Sequence, residues 1–307
     1  MLSLEALQAN FFILFNCIIM KPKKTLRIKY PQWHGGVNPN YVLGSNLLSV
    51  IAPPNPKDDE VEIKVDTNFD KTDKFEGIDC GEALLNELNQ AYNILNEKSP
   101  THVIVFGGDC SVSQAPFDYL KGKYGESLGI IWFDAHPDVS GLHQSSHLHE
   151  LVLGNLMGQS PNSKVTKVNN PINPNHVLMA GLIEEKLRPM DSACKELKLE
   201  IVSPEELSKS SDKVLNWIER NNIKYLAVHW DFDVLTPEDF RSIYPGEPYA
   251  NLNEFPWAIG KMKLSQVCKV LKDVSQKAEI VGLTMAEHMA WDAINLRKTL
   301  SEISIFK

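Results

Sequence analysis

Short, unbroken apolar runs alternate along this chain with longer amphipathic stretches, and that rhythm limits the fold more than any other feature. The runs are Leu26–Tyr30, Leu47–Ile51, His102–Phe106, Gly129–Phe133, His176–Leu182, Leu199–Val202, Tyr225–Trp230 and Ile280–Met285. A strand with one wet face alternates apolar and polar side chains. Several of these runs do not alternate, so both of their faces must be covered. The stretches between them include GEALLNELNQAYNILNEK, SPEELSKSSDKVLNWIER and KLSQVCKVLKDVSQK, each with apolar residues at helical spacing. Ser203, followed by Pro204, Glu205 and Glu206, reads as a helix N-cap with proline at the first helical position and acids in the first turn. IAPPNPKDDEVE and KVNNPINPNH read as loops rich in proline and asparagine. The pattern predicts an α/β chain with a parallel sheet of about eight strands between helix layers.

With 307 residues, 43% of them hydrophobic, the chain can bury a substantial core. The 31 basic and 39 acidic residues give a net charge of −8, and no basic block stands out. That balance argues against nucleic acid as a partner. Five cysteines, scattered and without CxxC spacing, suit a reducing, cytoplasmic setting. The apolar NFFILFNCIIM near the start is too short to span a bilayer. It is also preceded by no lysine or arginine, unlike a signal peptide. Residues 1–20 therefore read as an appended leader, with a membrane-associated anchor as the alternative. Residues 21–307 read as a single domain with no membrane partner, and homo-oligomerisation stays open.

In parallel α/β sheets, functional groups gather where strands end. Reading only those ends gives Asp109 and Cys110, then Asp134, His136 and Asp138, then Glu184 and Glu185, then Asp231 and Asp233, then Glu287 and His288. Five strands thus deliver acids to one sheet edge. Carboxylates crowded together repel unless they are protonated or bound to cations. Asp-x-His-x-Asp and Asp-x-Asp also send alternate side chains the same way if the chain stays extended. Oxygen donors with a little imidazole suit Mn²⁺ or Mg²⁺ better than a structural Zn²⁺. Asp109 taken alone reads as a helix cap, and Glu184 and Glu185 could equally open a helix.

The segments GGDCS, WFDAHPD, HWDFDVLTP and GLTMAEH, in this order, resemble the signature segments of the arginase family, the ureohydrolases. The resemblance implies a three-layer α/β/α sandwich and a binuclear manganese site at the strand ends. It further implies hydrolysis of a C–N bond in a linear guanidine or amidine, a small molecule such as arginine, agmatine, guanidinobutyrate or formiminoglutamate. Carried over, it makes Asp134 and Asp231 bridging ligands, gives His136 and Asp233 to one metal and Asp138 to the other, and sets Glu287 near the substrate. In HQSSHLHE, His149 matches the family's proton-shuttle histidine best, with His147 and His143 as rivals.

One departure stands out. The resemblance puts a metal-binding histidine where this chain has Cys110. A thiolate prefers Zn²⁺ or another softer ion to Mn²⁺. Three readings compete: an enzyme with altered metal preference at the Cys110 site, an enzyme using one ion, or a non-catalytic homologue that serves in binding or regulation. The other metal positions are all present, which favours an enzyme. The loop after DAHPDVS and the segment GLIEEKLRP, where the resemblance places contacts to the substrate's distal end, give no clear match to arginase itself. FGGDCS lacks the glycine patterns of nucleotide-binding loops.

Overall fold

The computed structural model describes residues 23–160 and 162–306, so the reading of residues 1–20 lies outside the described residues. The strands are β1 (Thr25–Tyr30), β2 (Asp59–Glu62), β3 (Lys74–Phe75), β4 (Ile78–Asp79), β5 (His102–Gly107), β6 (Leu128–Phe133), β7 (Val177–Ala180), β8 (Glu200–Val202), β9 (Tyr225–Asp231) and β10 (Glu279–Ala286). Eight of them form one sheet in the order β2-β1-β5-β10-β9-β6-β7-β8. Every pairing within that sheet is parallel. The other two, β3 and β4, make a small antiparallel ribbon.

Both faces of the sheet are covered, as the unbroken apolar runs require. Ile130 and Trp132 point into a core shared with the helices Gly81–Lys98 and Gln114–Tyr124, through Leu84, Leu88, Phe117 and Leu120. Ile131 and Phe133 point into a second core, filled by Leu207, Trp217, Val267 and Val270 from the helices Pro204–Lys209, Asp212–Arg220 and Leu264–Val274. The result is a three-layer α/β/α sandwich. Ser203 caps its helix as predicted: its side chain accepts from the Glu206 N–H, while the Glu206 carboxylate accepts from the Ser203 N–H.

Three readings need correction. The run Leu47–Ile51 is the last part of the helix Asn40–Ile51, not a strand. That helix buries Tyr41, Gly44, Ser45 and Leu48 at helical spacing and leaves Val50 and Ile51 exposed. A short apolar run does not by itself distinguish the two periods. The missing eighth strand is β2, inside the segment read as a loop. It lies at the sheet edge, so its polar side chains, Asp59, Glu60 and Glu62, remain in water. SPEELSKSSDKVLNWIER is also two helices rather than one, broken at Ser210 and Ser211.

Among the described residues, no helix is long and apolar enough to cross a membrane.

Candidate metal centre and active site

Four neighbouring strands, β5, β10, β9 and β6, end at the same edge of the sheet. They lead to Asp109 and Cys110, to Glu287, to Asp231 and Asp233, and to Asp134, His136 and Asp138. Gly108 lets the first of these turns close. A Cβ there would lie 1.6 Å from the Gln32 carbonyl oxygen.

The two aspartate motifs converge by turning, not by staying extended as the alternation argument supposed. Asp134 accepts from the His136 N–H at 2.6 Å, and Asp231 accepts from the Asp233 N–H at 2.7 Å. Each first aspartate thus folds its own backbone back two residues later. Asp138 and Glu287 sit at φ of 50° and 61°, in the left-handed region. For non-glycine residues this costs about 1–3 kcal/mol each and is found where a site demands a particular aim.

Among the described residues three overlapping groups result, each with ligand-type atoms within 4.8 Å of one another: Cys110, Asp134, Asp138 and His229; Cys110, Asp231 and Glu287; and Asp134, His136 and Asp233. Every predicted metal-site residue is therefore in the cluster. The Cys110 thiol donates to Asp231 Oδ2 at 2.9 Å and lies 3.6 Å from Glu287 Oε1. His136 Nδ1 is 2.8 Å from Asp233 Oδ2 and 3.5 Å from Asp134 Oδ1.

The electrostatics are those of a crowded acid pocket. Burial, and then neighbouring carboxylates, push Asp138, Asp231 and Glu287 well above the usual carboxylate range, and Asp134 up to about 6. Burial also opposes charge on Asp233 and His136. Because those two face each other, Asp233 is nevertheless held below its ordinary value and His136 above. Burial and the surrounding acids raise the Cys110 thiol. Asp138 Oδ2 and His229 Nε2 are buried without a hydrogen-bond partner among the described residues. Unpaired buried atoms with lone pairs to offer, beside crowded carboxylates, fit a site built for cations.

Other candidates fall outside the cluster. Asp109 accepts from the N–H groups of Ser111 and Gly35, both at 3.0 Å, and so organises the loops. Glu184 and Glu185 open a short 3₁₀ turn, where Glu185 pairs with Lys261 at 2.5 Å on the surface. Hence four strand ends, not five, supply the acids.

A cavity of about 850 Å³ opens onto the cluster. Its lining includes Cys110, His136, Asp138, Asp231, Asp233 and Glu287, with His149 to one side. His149 stands on the 3₁₀ turn Leu148–Leu151, and its Nδ1 lies 2.8 Å from the Gly35 carbonyl oxygen. His147 also lines the cavity, half exposed and 3.4 Å from Asp79; His143 is not part of the lining. Farther out, Tyr244, Phe255 and Trp257 form an aromatic rim, and Arg188 donates to Glu150 at 2.6 Å.

His229 was not among the residues singled out from the sequence. A signal was present: a histidine inside an apolar strand, two residues before Asp231 and so on the same face.

Comparison with known proteins gives the chain relatives. The profile of the arginase family matches residues 53–244. An arginase of Staphylococcus aureus strain COL is 24% identical over 166 residues, 52% of this chain and 53% of that one. The chain thus spans about half the length of that curated relative. The fold resembles that of Entamoeba histolytica arginase, solved with L-ornithine, at a TM-score of 0.69 and 15% identity, over 91% of this chain and 97% of the other. It also resembles formimidoylglutamase from Bacillus subtilis at a TM-score of 0.63 and 14% identity, over 87% and 80% of the two chains.

Proposed function

The chain belongs to the arginase family, and on that premise we propose that it is a metal-dependent hydrolase cleaving a C–N bond of a linear guanidine or amidine. The observation that carries this reading is the convergence of Asp134, His136, Asp138, Asp231 and Asp233 beneath one cavity. Asp134 and Asp231 would be shared between two divalent ions, with His136 and Asp233 serving one and Asp138 and Cys110 the other. Bound there, such ions lower the pKa of water toward neutrality and so supply a nucleophile.

The chain's own residues do the rest. A guanidinium or amidinium is cationic, and a cavity floored by carboxylates favours that form. Glu287, whose side chain Tyr41 approaches, would hold the planar cation in place; positioning of this kind lowers the barrier. The leaving nitrogen must gain a proton as the C–N bond breaks. With Nδ1 of His149 donating to the Gly35 carbonyl, its Nε2 would carry that proton. The aromatic rim formed by Tyr244, Phe255 and Trp257 supports a substrate whose distal part is at least partly apolar. Manganese suits the oxygen-rich side of the centre, and a softer ion such as zinc suits the side of Cys110.

The test is Asp231→Ala, assayed for urea, ammonia or formamide release across a panel of amidines with manganese or zinc supplied. The variant should fold and lose turnover entirely. Turnover equal to the wild type would sink the mechanism. A wild type that binds metal but cleaves no amidine would move the binding or regulatory reading ahead.

A further inference from the structure

His229 lies inside β9, buried, with its ring stacked on that of Trp132 at a centroid distance of 3.7 Å and an interplanar angle of 19°. The two residues are register partners on adjacent strands, so the stacking is set by the sheet itself. The Nδ1 atom is 2.8 Å from Ser113 Oγ and 3.0 Å from Thr284 Oγ1, and these hydroxyls lie 2.7 Å from each other. Stacking therefore fixes the ring plane, and two hydroxyls fix its rotation. With a proton on Nδ1 given to a hydroxyl oxygen, the lone pair is on Nε2. Among the described residues that atom has no hydrogen-bond partner although it is buried. A buried polar atom so firmly aimed and left unpaired is costly unless a ligand engages it.

What lies around it narrows the choice. A ring nitrogen of His229 is within 4.8 Å of Cys110 Sγ and of carboxylate oxygens of Asp134 and Asp138. Trp132 does more than stack: its Nε1 donates to Asp134 Oδ2 at 2.9 Å, tying the same residue to a neighbouring donor. A sulfur, a nitrogen and two carboxylates thus converge on one point.

We propose that His229 is a ligand of the ion held by Cys110, Asp134 and Asp138, and that Ser113 and Thr284 are its positioning residues. The inference rests on the reading of the strand ends as a metal centre and adds to it a ligand from the strand interior. It also makes the centre unequal in kind. One side offers sulfur and nitrogen with oxygen, a set that selects zinc-like ions. The other offers Asp134, His136, Asp231 and Asp233, mostly oxygen, a set suited to manganese. The hydroxyl partners of Nδ1 act as outer-shell groups that hold the imidazole in its binding tautomer.

The test uses cadmium as the probe, in protein carrying an NMR-active cadmium isotope and isotopically labelled histidine nitrogen. Cadmium bound to a thiolate resonates far from cadmium bound only to oxygen and nitrogen. Cys110→Ser identifies that resonance by its loss. In the wild type the sulfur-bound resonance should be split by one-bond coupling to a histidine nitrogen. In His229→Gln the splitting should vanish, and cadmium should dissociate from that site at least about tenfold more readily. His136 belongs to the other set, so its coupling falls on the other resonance. The wild-type spectrum alone decides the matter if His229→Gln does not fold. A sulfur-bound resonance without nitrogen coupling overturns the role of His229 and leaves the metal centre standing. A wild type that binds neither cadmium nor manganese overturns both.

Discussion

Asp138→Asn should stabilise the metal-free protein and destabilise the metal-loaded one. The residue is 4% exposed, its Oδ2 has no hydrogen-bond partner among the described residues, and its φ of 50° is one that asparagine adopts readily. The substitution therefore removes charge with little change of shape. Asp134 and Asp138 present oxygens within 4.8 Å of each other. At that spacing and an effective permittivity of about 20, two unit charges repel by about 3–4 kcal/mol. Proton uptake relieves part of this, so the net gain on removing one charge is about 1–3 kcal/mol. The sign with pH follows from burial and the neighbouring carboxylates, which raise Asp138 and lift Asp134 to about 6. A carboxyl raised on folding contributes stability below its unfolded pKa and loses that contribution as pH climbs through the folded value. The chelated wild type should thus weaken from mildly acidic to neutral pH, and the variant should weaken less. The assay is urea unfolding with chelator or with manganese, at both pH values. A variant less stable than the wild type in chelator at neutral pH would refute the crowding argument.

His149→Asn should lower turnover by about 10²–10⁴-fold while metal content stays at the wild-type level, since a proton-transfer group is removed but no ligand is. Equal turnover would return the shuttle role to His147, which shares the cavity wall. Gly108→Ala should cost about 1–3 kcal/mol or more, because the added methyl meets the Gln32 carbonyl at 1.6 Å. An unchanged urea midpoint would show that this turn yields more easily than its geometry implies.

The strands that were legible in the sequence are those covered on both faces. β6, LGIIWF, is buried along its whole length, and so reads as apolar throughout. β2, DEVE, carries no such signal because an edge strand over solvent needs no apolar face. Leu47–Ile51 misled in the opposite direction, since an apolar helix end and a short strand share a composition. The site was legible where chemistry repeats in short spacing, as in Asp134-x-His136-x-Asp138. The way it closes was not, because Asp134 and Asp231 turn their own backbones and only hydrogen bonds reveal that. His229 was hidden by its place within a strand rather than at its end. Glu184 and Glu185 stood at a strand end yet turned to the surface, where Lys261 neutralises one of them.

Everything proposed for this chain requires a metal centre at the ends of β5, β6, β9 and β10. Crystals grown with manganese, measured on both sides of the manganese absorption edge, test this directly. The prediction is an anomalous difference peak between Asp134, His136, Asp231 and Asp233. Manganese found elsewhere in the molecule, with these four side chains bound to nothing, would contradict it.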